Sequence, residues 1–220
     1  GLLEYLHTKK GYSLETIKKF KLGWDGRNIT IPIFNANGEC VNFKLRRDPT
    51  LPSGSRGMFQ ISGRGKRRLF NEIVLKKKQE RVLIVEGETD CMLLDQFGYA
   101  AVTSTGGASG FLFKWVDAFE KAEKIYLCYD IDRNGAGQQG AEKTAEMFHK
   151  KGVRVYMIRL PSPRHNEEKI DVSDFFLKRG ETKEAFTFLL RSAEEWSGKD
   201  FTPPMYEFVN IEQIFGIDYP

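Results

Sequence analysis

The apolar positions of this chain follow one rule before about residue 80 and another after it. Residues 2–22 carry helical spacing in short stretches. Ser13 stands as an N-cap, with Thr16 where a capping box places its second polar group. The period then changes. Residues 28–34 form a strand-like run in which Pro32 marks an edge or a strand end. Asn35-Ala36-Asn37-Gly38 is a turn signal, and residues 40–45 alternate strictly, so a β-hairpin is predicted. Residues 48–68 have the Pro and Gly content of a loop.

From Arg81 onward the chain reads as strands at 82–85, 100–103, 125–129 and 153–159, with unbroken apolar runs at 82–85 and 125–129. Runs of this length, rich in Val, Ile and Tyr, predict parallel strands buried on both faces. Helical stretches near 88–97, 112–121 and 138–151 separate them, and Gly152 supplies a C-terminal stop. Strands alternating with helices imply an α/β fold, a parallel sheet with helices on both faces. Residues 175–196 predict an amphipathic helix. The segment around Pro203 and Pro204 has the composition of a linker or docking tail. There are no internal repeats.

Composition narrows the class. With 220 residues, 40% hydrophobic and 13% aromatic, the chain can build one large domain or two small ones, and global disorder is excluded. No apolar stretch approaches the roughly 20 residues of a membrane span, so no membrane role is expected. The opening residues lack the charged, apolar, small-residue order of a signal peptide. Cys40, Cys91 and Cys128 are scattered without a Cys-x-x-Cys pair, which argues against a structural zinc site and fits a reducing, cytoplasmic setting. The net charge of +4 hides an asymmetry: residues 1–80 hold 17 Lys and Arg against 7 Asp and Glu, and residues 81–220 hold 17 against 23. A basic first part joined to an acidic second part suits a polyanion surface beside a metal site, or a solvated surface with chance clustering.

The acidic residues are placed at strand ends. Glu86 follows the run 82–85, and Asp130 and Asp132 follow the run from 125. Open α/β sheets bind ligands at their carboxyl edge. Carboxylates gathered there repel one another unless a cation joins them, and hard oxygen donors suit Mg²⁺ or Mn²⁺. Asp130-x-Asp132 is therefore either a metal site or a solvent-facing turn. Glu86, before the flexible Gly87, is a metal ligand, a general base, or an acid favoured by a helix dipole. Glu88 and Asp90 fit the dipole reading. The Thr105-Gly106-Gly107 loop is either a plain turn or a place where a phosphate meets backbone N–H groups.

The order of these elements resembles the Toprim domain shared by bacterial primases, topoisomerases and some nucleases. Glu86-Gly87-Glu88-Thr89-Asp90 is similar to the primase Glu-Gly-x-x-Asp motif. Ser104 to Gly107 is similar to its Ser-Leu-Gly turn. Asp130-Ile131-Asp132, followed by Ala136-Gly137, is similar to Asp-Gly-Asp-x-Ala-Gly with two residues added. Lys169-Ile170-Asp171-Val172-Ser173-Asp174 resembles the closing acidic element. Upstream, Ile31-Pro32-Ile33 to Gly38, Phe43 with Arg46, and Leu69-Phe70-Asn71 resemble segments that precede this domain in primases.

The resemblance implies a Toprim-like parallel sheet over 80–178, preceded by a smaller basic α+β domain over 1–79 and followed by a helix and tail over 179–220. It implies a primase core, a fragment of a larger primase or primase–helicase, that makes short RNA primers on single-stranded DNA. Two ions, Mg²⁺ or Mn²⁺, would be held by Glu86, Asp130, Asp132 and Asp171 for nucleotidyl transfer. Arg46, Arg47, Arg56, Lys66, Arg67 and Arg68 would contact template phosphates or ribonucleoside triphosphates. Gly87, Asp90, Gly106 and Asp174 would support the site, and a replicative helicase is an expected partner. A Toprim nuclease or maturase, or a DNA-binding module without activity, are the competing readings.

Overall fold

The structure is a computed structural model that describes residues 2–48, 58–60 and 66–198. It opens with α1 (Leu2–Glu4), which runs into a π-helical turn at Tyr5–Lys9, and α2 (Leu14–Lys19). The Ser13 side chain accepts from the Thr16 N–H, as the capping pattern predicts. A four-stranded antiparallel sheet follows: β1 (Gly23–Trp24), β2 (Asn28–Phe34), β3 (Cys40–Arg47) and β4 (Met58–Gln60). The predicted hairpin is β2 and β3. Its turn is closed by Gly38 N–H donating to the Asn35 carbonyl at 2.9 Å, with Gly38 at φ +80°. Pro32 falls within β2, an inner strand. It is tolerated because β1 pairs only with Ile29 and Thr30, so β2 is an edge where Pro32 sits.

The larger sheet has six strands in the order β12, β10, β8, β6, β7, β5. These are β5 (Leu69–Phe70), β6 (Gln79–Val85), β7 (Ala100–Ser104), β8 (Ala122–Cys128), β10 (Val155–Met157) and β12 (Glu194–Glu195). The four inner strands are parallel, as predicted, and the two edge strands are antiparallel. Leu83, Val85, Tyr126 and Cys128 join one core cluster, with Leu6, Tyr12, Phe20, Ile29, Ile31 and Ile33. Val82, Ile84, Ile125 and Leu127 join a second one, with Phe111, Phe119 and Phe148. The sheet is thus buried on both faces, which is why its strands are unbroken apolar runs.

Helix α3 (Glu88–Gln96) follows β6, and α4 (Ala136–His149) ends near Gly152, at φ +71°. The predicted helix near 112–121 is a 3₁₀ segment, Phe113–Phe119. Its aromatic and β-branched residues are weak α-formers, and Phe111, Trp115 and Phe119 are held by mutual ring contacts and by Phe148. The predicted helix over 175–196 is divided. A π-helical turn at Asp174–Lys178 ends before Gly180 (φ +68°), Thr182 caps α5 (Lys183–Arg191), and β12 then adds to the sheet edge. The tail around Pro203 and Pro204 lies outside the described residues. Among the described residues no helix is long and apolar enough to cross a membrane. All three cysteines are free thiols, with Cys91 and Cys128 buried.

Candidate active site

The acidic residues meet at the carboxyl ends of β6 and β8. Glu86 comes one residue after β6, and Gly87, in an extended conformation, turns the chain into α3. After Cys128 the large sheet ends. Asp130 lies in the connection, and Ile131–Asp132 forms β9, paired antiparallel with β11 (Lys169–Ile170) in a small sheet of its own. The strand therefore does not continue through both aspartates, and their proximity to Glu86 comes from the break.

Glu86 and Asp130 are both driven toward protonation. Burial, followed by repulsion from Asp130 and Asp132, raises Glu86 to about 7. Burial raises Asp130 to about 6 against the pull of Lys169. Lys169 Nζ lies 2.5 Å from Asp130 Oδ2 and 3.6 Å from Asp171 Oδ2. Glu86 Oε2 is buried with no hydrogen-bond partner. Asp132 Oδ2 accepts from Gly137 N–H at 2.8 Å, while Gln138 bonds both its N–H and its carbonyl. Gly137 has no room for a side chain: a Cβ there would lie 2.2 Å from the Asp130 carbonyl oxygen and 3.0 Å from Glu86 Oε2. The start of α4 is thereby pressed against the carboxylates.

The other acidic residues have fixed roles. Asp90 is buried and accepts from the backbone N–H and the hydroxyl of Ser173, at 2.9 and 2.6 Å. Burial, then the charges of Asp171 and Asp130, pushes its carboxyl well above the usual range. Asp171 accepts from Asp174 N–H at 2.7 Å, and Asp174 pairs with Lys178. Asp90 thus ties α3 to the segment carrying Asp171. Glu88, assigned above to the helix dipole, is buried and held by Lys44 of β3 at 2.6 and 2.7 Å. Lys44 also donates to the Thr105 carbonyl at 3.3 Å.

The basic residues divide. Arg46 and Lys44 share the inner face of β3, and Arg46 lies near enough to Lys10 to depress its pKa, after burial, the larger cause. Asp90, Asp171 and Asp174 oppose that shift, so Lys10 feels the charges of both Arg46 and the acids. Arg47, next in β3, is sent by strand alternation to the opposite face. Lys66 and Arg67 are exposed, and Arg67 lies along Gly106, where a Cβ would meet its Cδ at 3.2 Å. The Arg68 carbonyl accepts from the Thr105 N–H, and the Arg68 N–H donates to the Thr105 hydroxyl. Arg56 lies outside the described residues. The N–H groups of Gly106 and Gly107 donate to the Ser104 hydroxyl and carbonyl, so this loop is a closed turn that seats Arg67.

Lys10, Lys44, Gly137 and Lys169 join the site without having been singled out from the sequence. Gly137 and Lys169 stand inside the quoted motifs. Lys10 and Lys44 had only their positive charge to mark them. A cleft of about 460 Å³ opens beside the acids, lined by Lys9, Lys10, Lys169, Asp171, Asp174 and Lys178 among others. Among the described residues no three ligand-bearing side chains already converge as a formed metal cage. The donor set nevertheless fits a hard divalent cation. It is all oxygen, Glu86 Oε2 lacks a partner, and Asp130 already holds a cationic group.

Known proteins share parts of this sequence and this fold. Residues 83–176 match the Toprim-like family. The DNA primase of Chlamydia muridarum is 26% identical over 81% of this chain, and that of Clostridium acetobutylicum 27% over 87%. The chain spans about a third of these relatives, 35% and 32% of their lengths. The structure of the DnaG catalytic core superposes with a TM-score of 0.71 at 22% identity, covering 88% of this chain and 73% of that one. The zinc-binding and RNA polymerase domains of the Aquifex aeolicus primase give 0.68 at 21%, covering 86% and 55%. The primase fragment of the bacteriophage T7 primase-helicase gives 0.64 at 20%, covering 83% and 72%. Residues 83–176 are therefore similar to the Toprim-like family, and the described chain shares the fold of solved primase catalytic cores.

Proposed function

We propose that this chain is the catalytic core of a DNA primase, joining ribonucleoside triphosphates into short RNA primers on single-stranded DNA in the cytoplasm. The observation that carries the reading is the unpartnered, buried Glu86 Oε2 beside Asp130 and Asp132, with Lys10 and Lys169 lining a cleft next to Asp171. Glu86, Asp130, Asp132 and Asp171 would hold Mg²⁺ or Mn²⁺. Two such ions, when bound, supply the charge that activates a 3′-hydroxyl and steadies a leaving diphosphate.

The chain's own residues do the rest. Glu86, raised to about 7 by burial and by its carboxylate neighbours, lacks a cation that would let it ionise fully, which is the role the bound ions would fill. Gly137 presses α4 against Asp130 and Glu86, and its N–H orients Asp132. Lys10 and Arg46 bind phosphate oxygens entering the cleft, and Lys66, Arg67 and Arg68 guide the template backbone. Regions absent from this stretch of the relatives would select the template. A replicative helicase is the proposed partner, by analogy with the bacteriophage T7 primase-helicase.

The test is an incubation with single-stranded DNA, labelled ribonucleotides and Mg²⁺ or Mn²⁺. Short metal-dependent products that vanish in Asp130→Asn and Glu86→Gln are expected. Shortening of the input DNA in place of synthesis would overturn the reading in favour of a Toprim nuclease.

A further inference from the structure

We propose that Lys169 is a tethered counter-cation of the acidic cluster, which a divalent ion must displace from Asp130 in order to bind. The inference rests on the metal-centre reading above. Lys169 Nζ contacts Asp130 Oδ2 at 2.5 Å, with Asp171 Oδ2 at 3.6 Å. Its backbone is fixed, because Lys169 pairs with Asp132 in the register of β9 and β11. Its side chain is not. It is 48% exposed, whereas that of Asp130 is 7% exposed. The ammonium can swing into the cleft and be hydrated there, while the carboxylate must keep a partner where it is.

A lysine also satisfies this cluster incompletely. Its single charge serves Asp130 and Asp171, and leaves Glu86 Oε2 with no hydrogen-bond partner. A divalent ion takes several oxygens at once and carries twice the charge. Lys10, the other cation near these acids, feels Asp90, Asp171 and Asp174, so Lys169 is the group that meets Asp130 directly. Lysine and metal therefore compete for the same oxygen. The lysine holds the cluster together before the ion arrives and sets a threshold on metal uptake.

Competition predicts a sign opposite to that of scaffolding. If Lys169 only braced the loop, its loss would loosen the site and weaken metal binding. Displacement predicts that its loss strengthens it. Free Mn²⁺ can be followed by its paramagnetic resonance signal as each protein is titrated. Lys169→Met should bind Mn²⁺ about two- to fivefold more tightly than the wild type, the scale expected for a half-exposed pair. Lys169→Arg, which keeps the charge, should bind like the wild type. The melting temperature of Lys169→Met should be lower without metal and should gain more on adding Mn²⁺. Equal or weaker Mn²⁺ binding by Lys169→Met overturns the proposal.

A measurement on the wild type covers the case in which that variant fails to fold. Mg²⁺ should speed acetylation of Lys169 several-fold relative to Lys178, as read by mass spectrometry. Unchanged or slower labelling counts against displacement. A wild-type protein that takes up no Mn²⁺ at all removes the metal centre itself. That outcome is told apart from failure of the lysine role because Asp130→Asn would then bind no less than the wild type.

Discussion

Lys44 of the small sheet and Glu88 of α3 form a deeply buried ion pair, and breaking it should be costly. Lys44 Nζ lies 2.6 and 2.7 Å from the two Glu88 oxygens and 3.3 Å from the Thr105 carbonyl. The side chains are 12% and 1% exposed, so water cannot replace the lost partner. Lys44→Met leaves a carboxylate buried without its cation. Removal of one partner from such a pair costs roughly 3–5 kcal/mol. For a chain of this size, about 2–4 °C per kcal/mol translates that into a fall in Tm of roughly 6–20 °C. Glu88→Leu alone should lose a comparable amount, because Lys44 is then stranded. The double variant Lys44→Met with Glu88→Leu puts apolar groups on both sides and should recover to within about 1 kcal/mol of the wild type. Urea unfolding of the four proteins, completing a double-mutant cycle, measures the coupling. A loss below about 1 kcal/mol in Lys44→Met, or additive losses in the double variant, would refute the reasoning.

Three further outcomes are expected. In metal-free protein, carboxyls raised to about 7 at Glu86 and about 6 at Asp130 favour the folded state when protonated. The stabilisation these two groups contribute should therefore be full below their unfolded-state values and be lost as pH rises from about 4 to about 7, and Glu86→Gln should flatten that slope in thermal melts across pH. Gly137→Ala should destabilise by more than about 1 kcal/mol in denaturant titrations. Helix propensity alone would make it stabilising by about that amount, so a gain would show that the 2.2 Å approach to Asp130 can relax. Arg46→Ala should weaken binding of labelled single-stranded DNA and lower the slope of affinity against salt, whereas Arg47→Ala, on the opposite face of β3, should change both little.

Most of the large sheet was legible because its inner strands are buried on both faces. That burial writes itself into the chain as runs such as 82–85 and 125–129, with no competing pattern. The ends of those runs also marked Glu86 and Asp130, since a carboxylate directly after an apolar strand has few other places to go. Local chemistry was legible too: Ser13 caps α2, and Asn35 to Gly38 make the hairpin turn. Where the reading failed, the deciding interaction was not local. Residues 112–121 carry a helical spacing of apolar groups, but ring contacts with Phe148 of α4 select a 3₁₀ segment. Residues 175–196 are amphipathic throughout, yet the open edge of β10 draws Glu194 and Glu195 into a strand.

The same distinction explains which site residues could be named in advance. A metal-binding carboxylate is recognisable by its position at a strand end, because the sheet brings such ends together whatever lies between them. A cation that neutralises it is not, because its partner is set by tertiary register. Lys44 meets Glu88 across 44 residues, and Lys169 meets Asp130 across 39. Alternation along β3 separates Lys44 and Arg46 from Arg47, but only the packing of that sheet against α3 says which face meets the acids. Lys44 was therefore one basic residue among 17 in the first 80, with nothing local to distinguish it. Its role follows from Glu88, a helix-start acid whose burial at the edge of the site demands a cation from another element. That points to a general way of reading such chains. An acid at the start of a helix that directly follows a buried strand is partnered either by solvent and the helix dipole or by a basic residue from a packed neighbour. Burial decides between the two, and at Glu88 it selects Lys44.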